Sequence, residues 1–440
     1  MNFILTHTPL LYLTQSFWRD EAFSIFYASQ SFLTILSRSV LEPPFYNILL
    51  HFWIKTFGTT EIAARSLSLV AYTLSIIILL EWASKKFKSK FLQHFIPLLF
   101  AVNPMVIYYA FEVRAYAWYL CFFILSFVAY DMKQWKLFAT ATLLAFFTHY
   151  YTIIFTFFLV VHYAMTHTKT LRSVTHIMRD RFFQSIIVIM LLSLPQIIRI
   201  FLQLTTVHES WYYPVDLHLI YSVLGNMFVG FEGTPWFLWP ITAGLSVVLL
   251  ATMIIPLITK KTRPLALPAL AVVILPLFSI IGISFFKPYF VNRYLIPVTF
   301  GQILLVAYSI SLISIRKLKI VTGIILILIL LGFNSWYPRQ HKKTDFRSAL
   351  TLANFIQKEH DYIYAEDALN FFETLYYAKD RATVRLYNPT NAPFMTYIGA
   401  SMFSPSYNTA VVPLYPAKAI LIKKDGTVGI LMNVPPMYKN

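Results

Sequence analysis

The sequence predicts an α-helical polytopic membrane bundle with interfacial helices in its first outer loop and a small C-terminal α/β extracytoplasmic domain. Three observations predict it. The 440 residues are 58% hydrophobic and 18% aromatic with a mean hydropathy of +0.63, too apolar for an ordinary soluble domain. From Glu61 onward, apolar stretches of spanning length alternate with basic turns. Beyond residue 337 the chain becomes much more polar and the run of spans ends.

A net charge of +17 raises nucleic acid as a partner, but the basic residues fall in short loops between apolar segments. That is the signature of membrane topology, so no nucleic acid partner is expected. The single cysteine, Cys121, lies inside an apolar run, has no intrachain partner and says nothing of redox compartment.

Residues 1 to 16 are weakly apolar, interrupted by Asn2, His7 and Pro9, and fall short of the about 20 residues that a spanning helix needs. They have neither the basic n-region nor the cleavage site of a signal peptide. Residues 17 to 58 alternate aromatic and polar character around Pro43-Pro44, which predicts helices lying along the interface. Residues 1–60 thus form a short N-terminal segment and first outer loop, and 61–337 a bundle of about ten spans. The spans are placed at 62–83, 92–110, 114–131, 137–149, 151–165, 184–203, 236–258, 265–286, 295–315 and 319–337. The fourth and fifth are short and meet at His149-Tyr150-Tyr151, so a re-entrant hairpin is an alternative.

Alternate loops carry Lys85, Lys86, Lys88 and Lys90; Lys133 and Lys136; Lys169, Arg172, Arg179 and Arg181; Lys260, Lys261 and Arg263; and Arg316, Lys317 and Lys319. That face is cytoplasmic by the positive-inside rule. The opposite face takes the first loop, the turn at Glu112 to Arg114, His149, a long loop at 204–235, the loop 287–294 and the C-terminal domain, 338–440. In that domain Thr344 to Lys358 has helical spacing, and Asp361 to Ala365 and Thr383 to Tyr387 read as strands. Ala419 to Lys423 and Gly429 to Met432 flank Asp425-Gly426 as a hairpin.

The residues able to carry chemistry gather on that outer face. Asp20 and Glu21 are adjacent carboxylates among aromatics; Asp20 is the candidate catalytic base and Glu21 a candidate catalytic or metal-binding partner. Acids also favour a helix's first turn, so the pair has a purely architectural reading. Glu112 and Arg114 lie at the membrane boundary beside Tyr116, either as an aromatic belt with a snorkelling arginine or as a phosphate and sugar contact. His149 with Tyr150, and Arg293 with Tyr294, complete the set. Arginine forks hold phosphate, aromatic faces stack on sugars, and a carboxylate deprotonates an acceptor hydroxyl. No local ligand motif decides on a metal, so a divalent metal ion is left open as a cofactor.

An ordered set of motifs resembles the glycosyltransferase-C superfamily, in the branch of the protein mannosyltransferases and lipid A aminoarabinose transferase (glycosyltransferase family 39 type). It comprises Ser16 to Ser24, Pro43-Pro44-Phe45-Tyr46 running into Leu49 to Gly58, Glu61 with Arg65, Tyr108-Tyr109 with Glu112, Arg114 and Tyr116, Thr148-His149-Tyr150, and Arg293-Tyr294 with Pro297. The resemblance implies an enzyme that takes a sugar from a polyprenyl-phosphate donor and transfers it with inversion to a polysaccharide, lipid or protein acceptor on the outer face. It makes Asp20 the catalytic aspartate and Glu42, Glu112, Arg114, Tyr116, His149, Tyr150, Arg293 and Tyr294 substrate-binding, with Arg114 and Arg293 on the phosphate side. Two features depart from the family pattern. The stretch before the acidic pair is shorter than the relatives' first span, and Glu42 stands before the two prolines where relatives often carry His, Asn or Lys; a glutamate there repels a phosphate unless it is protonated or metal-bridged. A lipid-linked sugar transporter or flippase, and a catalytically silent assembly subunit, are the alternatives; a transporter is expected to show paired repeats, and none is visible.

Overall fold

The computed structural model describes residues 4, 6–37, 42–168, 173–204, 215–230, 236–392 and 402–434. Among these, six helices are long and apolar enough to cross a membrane: Glu61–Lys86, Arg181–Leu202, Trp239–Ile258, Arg263–Ser284, Asn292–Ser311 and Arg316–Gln340. Shorter apolar helices run over Tyr116–Asp131, Trp135–Thr148, Thr152–Thr166 and Leu217–Val229. The expected span at 92–110 is broken into Lys90–Ala101 and Pro104–Ala110, bent by 55°. Asn103-Pro104 explains the break, because proline disfavours helical geometry in the residue before it, and Asn103 then caps the second piece by accepting from Val106 N.

The stretch 204–235, expected as a loop, contains the helix Leu217–Val229. Its C-terminal carbonyls are satisfied by other segments. Asn103 donates to Phe228 O (2.7 Å), Thr299 to Met227 O (2.6 Å) and Gln302 to Leu224 O (2.9 Å). Gly225 lets it approach Trp239–Ile258 so closely that a Cβ there would stand 2.0 Å from the carbonyl oxygen of Thr242. Residues 205–214 and 231–235 of the same stretch, and Lys169 and Arg172 of the basic loops, lie outside the described residues.

The described residues between 17 and 58 form the helices Arg19–Ala28, Phe32–Ser37 and Pro44–Phe57. Pro44 opens the last of them and Gly58, at φ +86°, ends it. Thr60 caps Glu61–Lys86 through Ala63 N, with Glu61 in the first turn and Lys85 and Lys86 in the last, the arrangement that suits the helix dipole.

The C-terminal region is a five-stranded mixed sheet in the order β3(Asn408–Thr409), β2(Val384–Tyr387), β1(Tyr362–Ala365), β4(Ala419–Ile422), β5(Val428–Leu431). β1 is parallel to β2 and β4, and β4 with β5 forms the expected hairpin, turning at Gly426 with φ +81°. The helices Phe346–Ile356 and Phe371–Tyr377 complete it; the second was not foreseen. Its apolar core runs without a break into the first loop. Phe17, Ala22, Ile25, Tyr46 and Leu50 are buried in one cluster with Leu350, Ile363, Phe371, Phe372, Leu375 and Ile420.

Candidate active site

Where the first loop, the turn 111–115 and the turn Asn292–Leu295 converge, the chain buries more charge than any other place among the described residues. Asp20 lies in the first turn of its helix. Its Oδ1 takes a bond from Arg19 Nε (3.0 Å), and its Oδ2 stands 3.4 Å from Arg293 and 4.0 Å from Arg114. Burial alone would raise its pKa, but Arg114, Arg293 and Arg19 hold it well below the usual carboxylate range. Arg114 also pairs with Glu42 and donates to Ser24 Oγ (3.1 Å). Tyr116 lies under both arginines at 5.8 and 5.7 Å, and Trp18 and Tyr294 flank Arg293 at 5.9 and 5.8 Å.

Glu21 points the other way and is saturated. Arg65 grips it through Nε to Oε1 (2.8 Å) and Nη2 to Oε2 (2.7 Å), Lys343 donates to Oε2 (2.8 Å), and Val113 N donates to Oε1 (3.0 Å). Burial opposes its charge, yet Arg65 and Lys343 keep its pKa below the ordinary value. Arg65 is completely buried and donates further to the carbonyls of Leu13 (3.0 Å) and Gln15 (2.6 Å). The two adjacent carboxylates thus face different cation sets.

Glu112 is buried between them. Lys343 lies 3.9 Å from its Oε1, Tyr108 donates to the same oxygen (3.3 Å), and Oε2 finds no hydrogen-bond partner among the described residues. Burial, reinforced by the charge on Glu21 and opposed by Lys343, pushes its pKa up to about 7. The indole N–H of Trp18 and Nε of Arg114 are likewise without a partner there. His149 sits behind the arginines, stacked on Tyr119 at 4.8 Å and tilted against Tyr294 at 4.8 Å. Its Nδ1 accepts from Tyr151 N (3.3 Å), and burial with the two arginines lowers its pKa to about 3. A neutral imidazole packed among rings is the result.

Of the residues singled out in the sequence, Asp20, Glu21, Glu42, Glu112, Arg114, Tyr116, His149, Arg293 and Tyr294 converge. Tyr150 does not join the ring cluster: its hydroxyl accepts from Gln196 (2.6 Å) on Arg181–Leu204. Sequence reasoning assigned no role to Arg65, Lys343, Trp18 or Glu373. An arginine within the apolar run of Glu61–Lys86 is itself a signal, since such a charge needs a partner. Glu373, on the helix Phe371–Tyr377, is buried with Oε2 unpartnered among the described residues, and burial pushes its pKa up to about 8. No group of three or more His, Cys, Asp or Glu suited to a metal ion occurs among the described residues.

No family model and no curated protein matches the sequence. Solved structures do. ArnT from Cupriavidus metallidurans in the apo state superposes with a TM-score of 0.61 over 94% of this chain and 91% of that one, at 13% identity. ArnT from the same organism bound to undecaprenyl phosphate gives a TM-score of 0.58 with the same coverage and identity. This chain has the ArnT fold. The expected architecture, a helical multi-span bundle with a C-terminal α/β region, is borne out by that match. At 94% coverage the match in fold takes in the C-terminal region as well as the helical bundle.

Proposed function

We propose that the protein is a membrane glycosyltransferase that moves a sugar from a polyprenyl-phosphate donor to an acceptor hydroxyl at the outer face, with inversion. The observation that carries this reading is the meeting of Asp20 with Arg293 and Arg114 inside a cage of Trp18, Tyr116 and Tyr294. The ArnT fold supports the donor class, since one matched ArnT was crystallised with undecaprenyl phosphate. Asp20 is the general base for the acceptor hydroxyl, and Arg114 and Arg293 take the carrier phosphate. Tyr116, Tyr294 and Trp18 offer faces for the sugar ring, with Glu112 Oε2 and the Trp18 N–H open to its hydroxyls. Glu21 holds Arg65 and Lys343 in place and leaves the chemistry to Asp20. His149 supports the Tyr116 and Tyr294 rings from behind, and Tyr150 braces the bundle through Gln196. The basic loops support an extracytoplasmic placement of this site and of the C-terminal domain.

The test is to incubate purified protein with a panel of polyprenyl-phosphate sugars, with and without EDTA, and to record which carrier loses its sugar. Asp20→Asn is expected to lower transfer by about 10²- to 10⁴-fold. Unchanged transfer by that variant would remove Asp20 as the base, and no consumption of any donor by the wild type would remove the reading itself.

A further inference from the structure

The two arginines assigned to the carrier phosphate are already occupied. Arg293 and Arg114 both reach Oδ2 of Asp20, and Arg114 is also paired with Glu42. Both guanidinium charges lie within 4.0 Å of one carboxylate oxygen, so a phosphate seated on these arginines shares with Asp20 the positive charge that now compensates it. The groups around Asp20 are few. Its own helix brings Arg19 and Ser24, the turn 111–115 brings Arg114 with Glu42 behind it, and the turn Asn292–Leu295 brings Arg293. The outer domain brings Glu373, whose buried carboxyl also feels Arg19 and Asp20.

Resting on the glycosyl-transfer reading above, we infer that Asp20 and the carrier phosphate share one arginine cage, so that binding of polyprenyl phosphate is coupled to proton uptake by Asp20. The balance of the reaction requires the same exchange. The acceptor O–H gives its proton to Asp20, the new bond forms between the acceptor oxygen and the anomeric carbon, and the bond from that carbon to the phosphate oxygen breaks. The bonding pair stays on the phosphate. A phosphodiester with one charge becomes a phosphomonoester with two, while Asp20 goes from one negative charge to none. The arginines therefore face the same total charge before and after, and they shift from carboxylate to phosphate as the leaving group develops.

Two consequences separate this arrangement from one with an independent base and an independent phosphate clamp. While the arginines hold Asp20, its carboxylate is a weak base; a phosphate that draws them away raises its affinity for a proton, so donor binding prepares the base. The product complex, with a doubly charged phosphate, is most stable with Asp20 protonated. Removing the charge at residue 20 should then strengthen product binding even as it lowers transfer.

The experiment uses the full-length protein in detergent or nanodiscs and undecaprenyl phosphate as the probe. Calorimetric titrations in two buffers of different ionisation enthalpy give both affinity and the number of protons taken up. At pH 7.5 the Asp20→Asn variant is expected to bind the lipid about tenfold more tightly than wild type or better. Wild type should take up protons on binding, increasingly as pH falls toward 6, and Asp20→Asn should not. The lipid's own phosphate has its second pKa near about 6 and, bound as the dianion, releases protons, so the sign of the effect distinguishes the two sources. Glu112→Gln should retain the uptake, which assigns it to Asp20 rather than to Glu112. Equal affinity in wild type and Asp20→Asn, or no uptake by wild type, would overturn the shared cage while leaving a phosphate site intact. Absence of binding by both proteins would overturn the phosphate site and the inference with it.

Discussion

Replacing Arg65 by Met tests whether the second carboxylate of the acidic pair is architecture. The Arg65 guanidinium makes five hydrogen bonds, two to Glu21 and one each to the carbonyls of Leu13, Gln15 and Ser16, and both it and Glu21 are completely buried. Removal leaves three carbonyls short of a donor and a buried Glu21 held only by Lys343, Val113 N and a long bond from Trp18 N. Breaking a buried pair from one side costs about 3–5 kcal/mol, because the remaining charge stays desolvated. Replacing both members, Glu21→Leu with Arg65→Met, removes the stranded charge and should recover a large part of that loss, though Lys343 then keeps only Glu112 nearby, at 3.9 Å. The assay is SDS-titration or thermal unfolding of the detergent-solubilised protein, with the four members of the cycle compared. A loss below about 1 kcal/mol for Arg65→Met, or a double variant as damaged as the sum of the singles, would refute the reasoning.

Three further outcomes follow from the geometry. Gly225→Ala forces a Cβ against the Thr242 carbonyl and should cost about 1–3 kcal/mol in the same assay, whereas Gly332→Ala, in open space on a helix, should be neutral or stabilise by up to about 1 kcal/mol. Glu112 and Glu373 have folded pKa values of about 7 and about 8, above the ordinary 4.5, so the folded state binds their protons more tightly. Their contribution is full below pH 4.5 and is lost as pH rises through those values; a pH series of melting temperatures should decline from about pH 5 to 8, and Glu373→Gln should flatten it. Asp20 and Glu21 act oppositely, their contribution being lost on acidification below about pH 4. Tyr377→Phe deletes a hydroxyl that donates to Glu61 (2.6 Å) and accepts from Phe17 N (2.8 Å), and should cost about 1–3 kcal/mol with a drop in the proposed transfer activity from the displaced first loop.

The parts legible in the sequence were those written in a local period or a local chemical surprise. Hydropathy and basic turns located the long spans, and an acidic pair among aromatics located the heart of the charged cluster. What escaped depends on partners distant along the chain. Leu217–Val229 has 13 residues, too few for a span, and its carbonyls are satisfied by Asn103, Thr299 and Gln302, which no local pattern connects to it. Lys343 follows the last span in the basic run Arg339 to Lys343, where a lysine normally snorkels to water; here the chain folds back and buries it against Glu21. Tyr150 shows the converse limit. It is adjacent to His149, yet the turn between two helices sends one ring into the cluster and the other toward Gln196. The break before Pro104 escaped because the apolar run 92–110 continues through it, although Asn103-Pro104 carries the local signal.

The placement of Lys343 and Glu373 bears on what the C-terminal domain does. A domain that merely capped the bundle would meet it through a separable surface, with each side owning its core. Here Phe17, Ala22 and Ile25 share a core with Phe371, Phe372 and Leu375, so the helix carrying Asp20 is packed from one side by the C-terminal domain. Glu61 accepts from Arg347 (2.6 Å) and from Tyr377, which ties the start of the first long span to the same domain. Lys343, at the junction, contributes charge to the Glu21 and Glu112 pair. Deleting residues 345–440 would expose Phe17 and Ile25 and remove Glu373 from beside Arg19, so the acidic pair would lose the packing that fixes its direction. The two carboxylates face different cations because their helix is clamped between the bundle and the C-terminal domain; a rotation of that helix would mix the two sets and remove the distinction between the proposed base and its brace.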